Sequence, residues 1–264
     1  MVDDAGRSLR LAAPPQRIVS LVPSLTELVC HLGAAHRLAG VTAYCTEPPE
    51  VVATLPHLGG TKNPQVDEIL ALAPDLVLVN SEENRRTDFD ALLAAGLAVF
   101  VSFPTTVAGA ATSIERLGRV LDLEAPAGAL AGRIAAAGEA AATPGMAALR
   151  VFCPIWRRPW MSFNAETFAH DLLRCAGGEN VCAGLAERYP TLELDRVAAA
   201  DPQVILLPDE PYPFSERHRS ALRGLAGTTA WQQGRVHFVD GKALSWYGHR
   251  TPDALALFAR LLQT

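Results

Sequence analysis

The sequence predicts an α/β protein of two similar halves, each built on a parallel sheet, with one long helix between them. Three observations carry that expectation. Short apolar runs alternate with helix patterns along the chain, with short connections, as in strands paired in parallel through helical crossovers. One segment recurs: the helix pattern from Asp67 to Pro74 followed by DLVLVN returns as Asp195 to Pro202 followed by QVILLPD, the aspartate standing seven residues before the proline in both. Between the halves lies PAGALAGRIAAAGEAAA, from Pro126 to Ala142, an alanine-rich stretch whose proline suits a first helical turn and which Thr143-Pro144-Gly145 would end. Its seventeen residues would span roughly 25 Å as a helix, although Gly128, Gly132 and Gly138 weaken it.

In chain order, RIVSLV (Arg17 to Val22) reads as a buried strand bounded by prolines. Ser24 or Thr26 is expected to cap a helix from Leu25 to Leu32, with Glu27 near its positive end and Gly33 as its stop. LAGVTAY is a second strand that delivers Tyr44 into a loop closed by Pro48-Pro49. In the turn-rich segment from His57 to Pro64, Asn63 would cap and Pro64 would start the helix VDEILALA. The strand DLVLVN then places Asn80 to Asn84 past its C-terminal end, where ligands of open α/β sheets bind. A helix near Thr87 to Ala95, the strand LAVFVSF and a helix from Thr106 to Leu121 complete the first half. In the second half LRVFCPI is a strand, Trp156 to Asn164 a loop, ETFAHDLLRCAGG a helix, RVHFVD a strand, and the last helix begins near Thr251-Pro252. The expected organisation is an N-terminal extension (1–16), an N-terminal lobe (17–121), a connector helix (122–145) and a C-terminal lobe (146–264).

Bulk properties exclude several function classes. The 264 residues are 49% hydrophobic and 19% charged, which describes a globular chain, and a net charge of −5 without a Lys/Arg cluster argues against nucleic acid. Five cysteines outside any C-x-x-C pattern fit buried free thiols. The N-terminus lacks the pattern of a secretory leader, so the chain is expected to be cytoplasmic if Met1 is its native start and extracytoplasmic if a leader has been removed. No G-x-S-x-G elbow, P-loop, G-x-G-x-x-G or H-E-x-x-H is present, and His170-Asp171 on one helix point about 100° apart, so no catalytic residue is expected.

Aromatics, only 6% of the chain, concentrate on predicted loops: Tyr44, Trp156, Trp160, Phe163, Tyr189, Tyr212, Phe214, Trp246 and Tyr247. Flat apolar area with a polar edge suits a large, partly polar ligand. His57 and His249 are the histidines best placed for a metal, without a second ligand at the right spacing.

With VPSLTEL, TAYCTEPPE, GGTKNPQVDEILALAPDLVLVN and FNAETFAHDLLRCAGGENV in place, the chain from Arg17 onward resembles the helical-backbone substrate-binding proteins of ABC importers, most closely the cobalamin and ferric-siderophore or heme receptors. The resemblance implies two Rossmann-like lobes joined by a backbone helix, with ligand in the cleft between them and no intrinsic cofactor. It implies a monomer, peripheral to the membrane, that meets an ABC permease dimer. Tyr44, Trp160, Tyr189 and Trp246 match positions of aromatic contact in the cobalamin branch, and Trp156 and Tyr247 join them as loop aromatics. Lys62 and Asn80 stand where that branch can present tryptophan, which implies a ligand with more acidic or hydrogen-bonding edges. Asp67 and Asp195 match the acidic docking residue of each lobe, usually glutamate. The expected function is capture of a cobalamin, or a ferric siderophore or heme. The alternative is an intracellular enzyme or corrinoid-handling protein that reuses the fold without a transporter.

Overall fold

A computed structural model describes residues 1–141 and 147–263. It divides into two compact units: Met1–Pro104 with Gly109–Gly132, and Thr105–Ala108 with Arg133–Thr264. The expected Thr143-Pro144-Gly145 stop, and the connector from residue 142 on, lie outside the described residues.

Unit 1 begins with β1 (Ile18–Ser20), α1 (Pro23–His31), β2 (Leu38–Val41), α2 (Pro49–Val52) and the two-residue strands β3 (Gly59–Gly60) and β4 (Asn63–Pro64). It continues with α3 (Val66–Ala71), β5 (Leu76–Asn80), α4 (Arg86–Ala94) and β6 (Val99–Ser102), and takes α5 (Val107–Leu121) from Gly109 on, the first residues of that helix being assigned to unit 2. The helix α6 (Glu124–Ala141) then carries the chain into unit 2. There follow β7 (Leu149–Phe152), β8 (Trp156–Arg157), β9 (Trp160–Met161), α7 (Phe168–Cys175), β10 (Gly178–Asn180), β11 (Thr191–Leu192), α8 (Leu194–Ala199) and β12 (Val204–Pro208). A 3-10 stretch (Glu216–Leu225), α9 (Thr229–Gln232), β13 (Val236–Val239), α10 (Gly241–Ser245) and α11 (Thr251–Gln263) complete it.

The main sheets share one design. Unit 1 runs β2-β1-β5-β6 and unit 2 runs β10-β7-β12-β13, every pair parallel. Strands β5 and β12 are wholly buried, as the uninterrupted runs LVLVN and VILLP require of a sheet covered on both faces. In unit 1, Val19, Val77, Val79 and Val101 pack with Ile69 and Leu92 of the helices; in unit 2, Phe152, Ile205 and Leu207 pack with Val197 and Leu222.

The sequence repeat is reproduced down to its backbone. The residue before each repeat's proline, Ala73 and Asp201, takes a left-handed φ of 44° and 43°. Behind each helix an arginine seals the free carbonyls of its last turn: the Arg17 guanidinium donates to Leu72 O, and Arg150 Nε donates to Ala200 O and Asp201 O. The next residue also corresponds, since Asp75 accepts from the amides of Gln16 and Arg17 while Gln203 accepts from that of Arg150.

Residues 1–10 close the outer edge of β6. Asp4 N donates to Val101 O at 3.1 Å, Arg7 donates to Val99 O at 2.9 Å, and the Asp3 and Asp4 carboxylates accept from the amides of Val101 and Phe103. An edge strand with open N–H and C=O groups is thereby covered. At the start of α5, Asp171 accepts from Val107 N at 2.7 Å and so caps the helix, and its other oxygen accepts from the Arg174 guanidinium.

Three local expectations are corrected. Neither Ser24 nor Thr26 caps α1: the helix starts at Pro23, its flanking residue is Val22, and Thr26 Oγ1 donates back to Val22 O at 3.1 Å, which also leaves Glu27 in the second turn and buried. Asn63 and Pro64 do not start α3 but pair with Gly59 and Gly60, a turn that the left-handed φ of 81° at Gly59 makes possible; the helix begins at Val66. The segment from Trp156 is a hairpin, not a loop, and β11 pairs with it to make a three-stranded antiparallel sheet.

Two helical glycines behave oppositely. A Cβ on Gly118 of α5 would collide with the Ala127 Cβ of α6, whereas one on the exposed Gly128 would meet nothing within 4 Å. Gly128→Ala is therefore expected to raise stability by up to about 1 kcal/mol. Gly118→Ala is expected to lower it by about 1–3 kcal/mol through overpacking. Denaturant melts of the two variants decide this, and a stabilising Gly118→Ala would refute the close approach.

Candidate functional site

In unit 1 the loops past β1, β2 and β5 are tied by buried side chains. Asn84, 8% exposed, donates from Nδ2 to Thr61 O at 2.9 Å and Leu21 O at 3.2 Å, and its Oδ1 accepts from Asn80 N at 2.8 Å. Asn80 in turn accepts on Oδ1 from Glu82 N at 2.7 Å and Glu83 N at 3.2 Å, which shapes the turn after β5. Lys62 Nζ donates to the carbonyl of Glu82 and fastens the β3–β4 hairpin to that turn.

Tyr44 stands on this platform. The loop beneath it folds over Cys45, which is 2% exposed and whose sulfur lies 3.2 Å from both Thr26 Oγ1 and Thr42 Oγ1. Burial pushes that thiol's pKa up, so it serves as packing rather than as a nucleophile at neutral pH. The Tyr44 ring lies over Gly60, where a Cβ would stand 3.0 Å from Tyr44 Cε2 and 2.6 Å from Asn63 Oδ1. Its ring is presented outward at 64% exposure.

In unit 2 the antiparallel sheet carries an aromatic cluster. Trp160 stacks on Phe214 with ring centroids 6.0 Å apart and planes 1° from parallel, while Trp156 meets Tyr212 edge-on at 5.5 Å. Tyr212 also packs on Phe214 at 4.7 Å and its hydroxyl lies 3.3 Å from His218 Nε2. Desolvation, followed by the charges of Arg217 and Arg157, lowers the His218 pKa, so this ring is neutral at pH 7. Tyr189 lies two residues before β11, in a segment tied to the chain after β9 by Ser162 N donating to Pro190 O and Asn164 N donating to Arg188 O.

The sequence-chosen residues thus separate into groups. Among the described residues, Tyr44, Trp156 and Tyr189 are the aromatics left largely exposed, at 64%, 42% and 39%. Trp160 is half-buried on the same hairpin, and Lys62 is exposed. Asn80 is 4% exposed with its carboxamide oxygen occupied by its own turn. Trp246 and Tyr247 are 6% and 7% exposed: Trp246 Nε1 donates to Glu210 at 2.9 Å and Tyr247 packs edge-on against Phe168 at 5.9 Å, so both anchor loops of unit 2. His57 contacts Val52 O through Nε2 at 3.2 Å, and His249 borders a shallow pocket with Asp240 and Asp253. Among the described residues no group of three or more His, Cys, Asp or Glu is close enough to hold a metal ion. Asp67 and Asp195 are exposed second residues of α3 and α8, neither capping its helix by a side-chain hydrogen bond. Sequence reasoning did not single out Asn84, Phe214 or His218 as the supports of the exposed rings. An asparagine four residues past a strand-ending asparagine was the available signal for the first.

A family model described as periplasmic binding protein matches residues 18–243. A vitamin B12-binding protein of Yersinia pseudotuberculosis serotype O:3 (strain YPIII) is 29% identical over 202 residues, 74% of this chain and 70% of that protein. Among solved structures, the periplasmic vitamin B12 binding protein BtuF of Vibrio cholerae shares the fold, with a TM-score of 0.83 at 22% identity over 95% of this chain and 97% of that one. The periplasmic heme-binding protein BhuT, solved in complex with two hemes, superposes with a TM-score of 0.81 at 26% identity over 95% and 98%.

Proposed function

Because this chain belongs to the periplasmic binding protein family, we propose that it captures a bulky metal chelate, a cobalamin in the first place, and delivers it to an ABC importer outside the cytoplasmic membrane. It works by binding rather than by catalysis. The observation that carries the reading is the exposure of Tyr44, Trp156 and Tyr189, each on a structured loop or strand end. A large aromatic left in water costs hydrophobic free energy that a flat ligand recovers. The Yersinia relative, a vitamin B12-binding protein, supports cobalamin as the first choice. A ferric siderophore or heme is the second reading, favoured by the exposed Lys62 and Arg158 and the half-buried Arg157 close in sequence to those rings, which offer cations to an acidic ligand edge.

Tyr44, Trp156, Trp160 and Tyr189 are the proposed ring contacts and Lys62 the polar one, while Asn80, Trp246 and Tyr247 contribute by holding loops in place. Titration of the purified chain with cyanocobalamin, heme and ferric siderophores, followed by heat and absorbance, is expected to show a single saturating site. A stacked ring is worth about 1 to 3 kcal/mol. Tyr44→Ala and Trp156→Ala should therefore each weaken binding about tenfold, whereas Trp246→Ala should lower the melting temperature first. No response to any chelate would remove the proposal.

Asp67 and Asp195, equivalent in the repeat and both exposed, are the proposed docking points for arginines of the permease, one from each unit. The competing role is electrostatic support of two short helices, worth about 0.3 to 1 kcal/mol each. In a reconstituted importer, Asp67→Arg with Asp195→Arg is expected to abolish transport while folding and chelate binding persist. Transport that simply tracks the amount of folded protein would assign the aspartates to helix support alone.

A further inference from the structure

Unit 1 holds a pocket of about 230 Å³ that the chelate reading does not use. It lies where β5 and β6 end, beneath α4 and the N-terminal segment, and its lining includes neither Tyr44 nor Lys62. At roughly 30 Å³ per water it has room for about eight waters, the size of a small organic molecule. Its floor is apolar, made by Val79, Val101 and Phe89, and its charged lining is three arginines, Arg7, Arg85 and Arg86, with no acidic residue among the lining groups.

The arginines are arranged around the ring. The Arg7 guanidinium carbon lies 4.3 Å and that of Arg86 5.4 Å from the Phe89 centroid, so two cations pack on one ring. Their nearby acids are already engaged: Asp3 with Arg7 at 2.7 Å and Asp90 with Arg86 at 2.9 Å. Arg7 Nε is buried without a hydrogen-bond partner, an N–H that water does not reach and no protein acceptor meets. Among the described residues none accepts from the exposed guanidinium of Arg85, which flanks α4 without capping it. Asp88, in the first turn of α4 with one buried unpaired carboxylate oxygen, is the acid that partly offsets this positive charge.

We propose that this pocket binds a small monocarboxylate with a compact apolar body, such as an aromatic or branched aliphatic acid. The carboxylate takes the exposed Arg85 fork beside the positive charges of Arg7 and Arg86, matching the planar geometry that guanidinium groups recognise, and the body lies against Val79 and Val101 of the apolar floor. Inorganic phosphate would satisfy the arginines but leave that floor wet. The pocket stands independently of which chelate the chain carries, since none of its residues is a proposed ring contact.

Two-dimensional amide NMR of the full chain with benzoate, inorganic phosphate and benzyl alcohol tests the assignment. Benzoate is expected to shift the amides of Ser81, Arg86, Phe89 and Val101, with phosphate and benzyl alcohol each binding at least about tenfold more weakly. Arg85→Gln, an exposed change that leaves the core intact, should weaken benzoate about tenfold while cobalamin or heme titrations stay unchanged. Unmoved amides, or benzoate binding insensitive to Arg85→Gln, would overturn the site. Phosphate binding as tightly as benzoate would overturn the carboxylate class.

Discussion

Asn84 spends both polar atoms of its side chain inside unit 1, and the presentation of the candidate ligand surface depends on that one buried carboxamide. Through it the chain past β1, the β3–β4 hairpin and the turn after β5 become one body. An unpaired buried donor or acceptor costs about 1–3 kcal/mol, so these loops keep or lose their bonds together. Tyr44 is held on top of this body by the buried Cys45 sulfur and the bare face of Gly60. Exposure of so large a ring is possible because its loop is fixed from below rather than by the ring's own burial.

Unit 2 reaches the same end by different means. Its parallel sheet has the strand order of unit 1, and the repeat matches in helix, left-handed residue, sealing arginine and following strand. Trp156 and Trp160, two of the proposed ring contacts, however, stand on a three-stranded antiparallel sheet of two-residue strands braced by Phe214, Tyr212 and His218, whereas unit 1 has the two-stranded β3–β4 pair. A shared α/β frame thus carries two unlike loop systems, as expected where function resides in what is grafted on the C-terminal ends of strands.

The frame was legible in the sequence because long apolar runs such as LVLVN and VILLP are wholly buried, and because the Asp-to-Pro repeat encodes a helix stop and strand start together. Elements of two residues were not, since neither Gly59–Gly60 nor Trp156–Arg157 is long enough to show a period. Chemical type found the aromatic residues but could not sort them. Trp246 has a hydrogen-bond partner in Glu210 36 residues earlier, and Asn80 is consumed by the turn it begins, both facts of tertiary structure. The Ser24 or Thr26 cap failed because Pro23 took the first turn, leaving the hydroxyl of Thr26 to bond backward.

The proposed function rests on aromatic rings held out by buried supports in each unit taken by itself. Hydrogen–deuterium exchange of the chain with and without saturating cyanocobalamin, and again with heme, tests it most directly. Added protection is expected in residues 42–47 and 60–62 of unit 1 and in residues 156–160 and 187–190 of unit 2, with β5 and β12 unchanged because they are already buried. Protection spread over the sheets while these loops exchange as before would count against the proposed ring contacts.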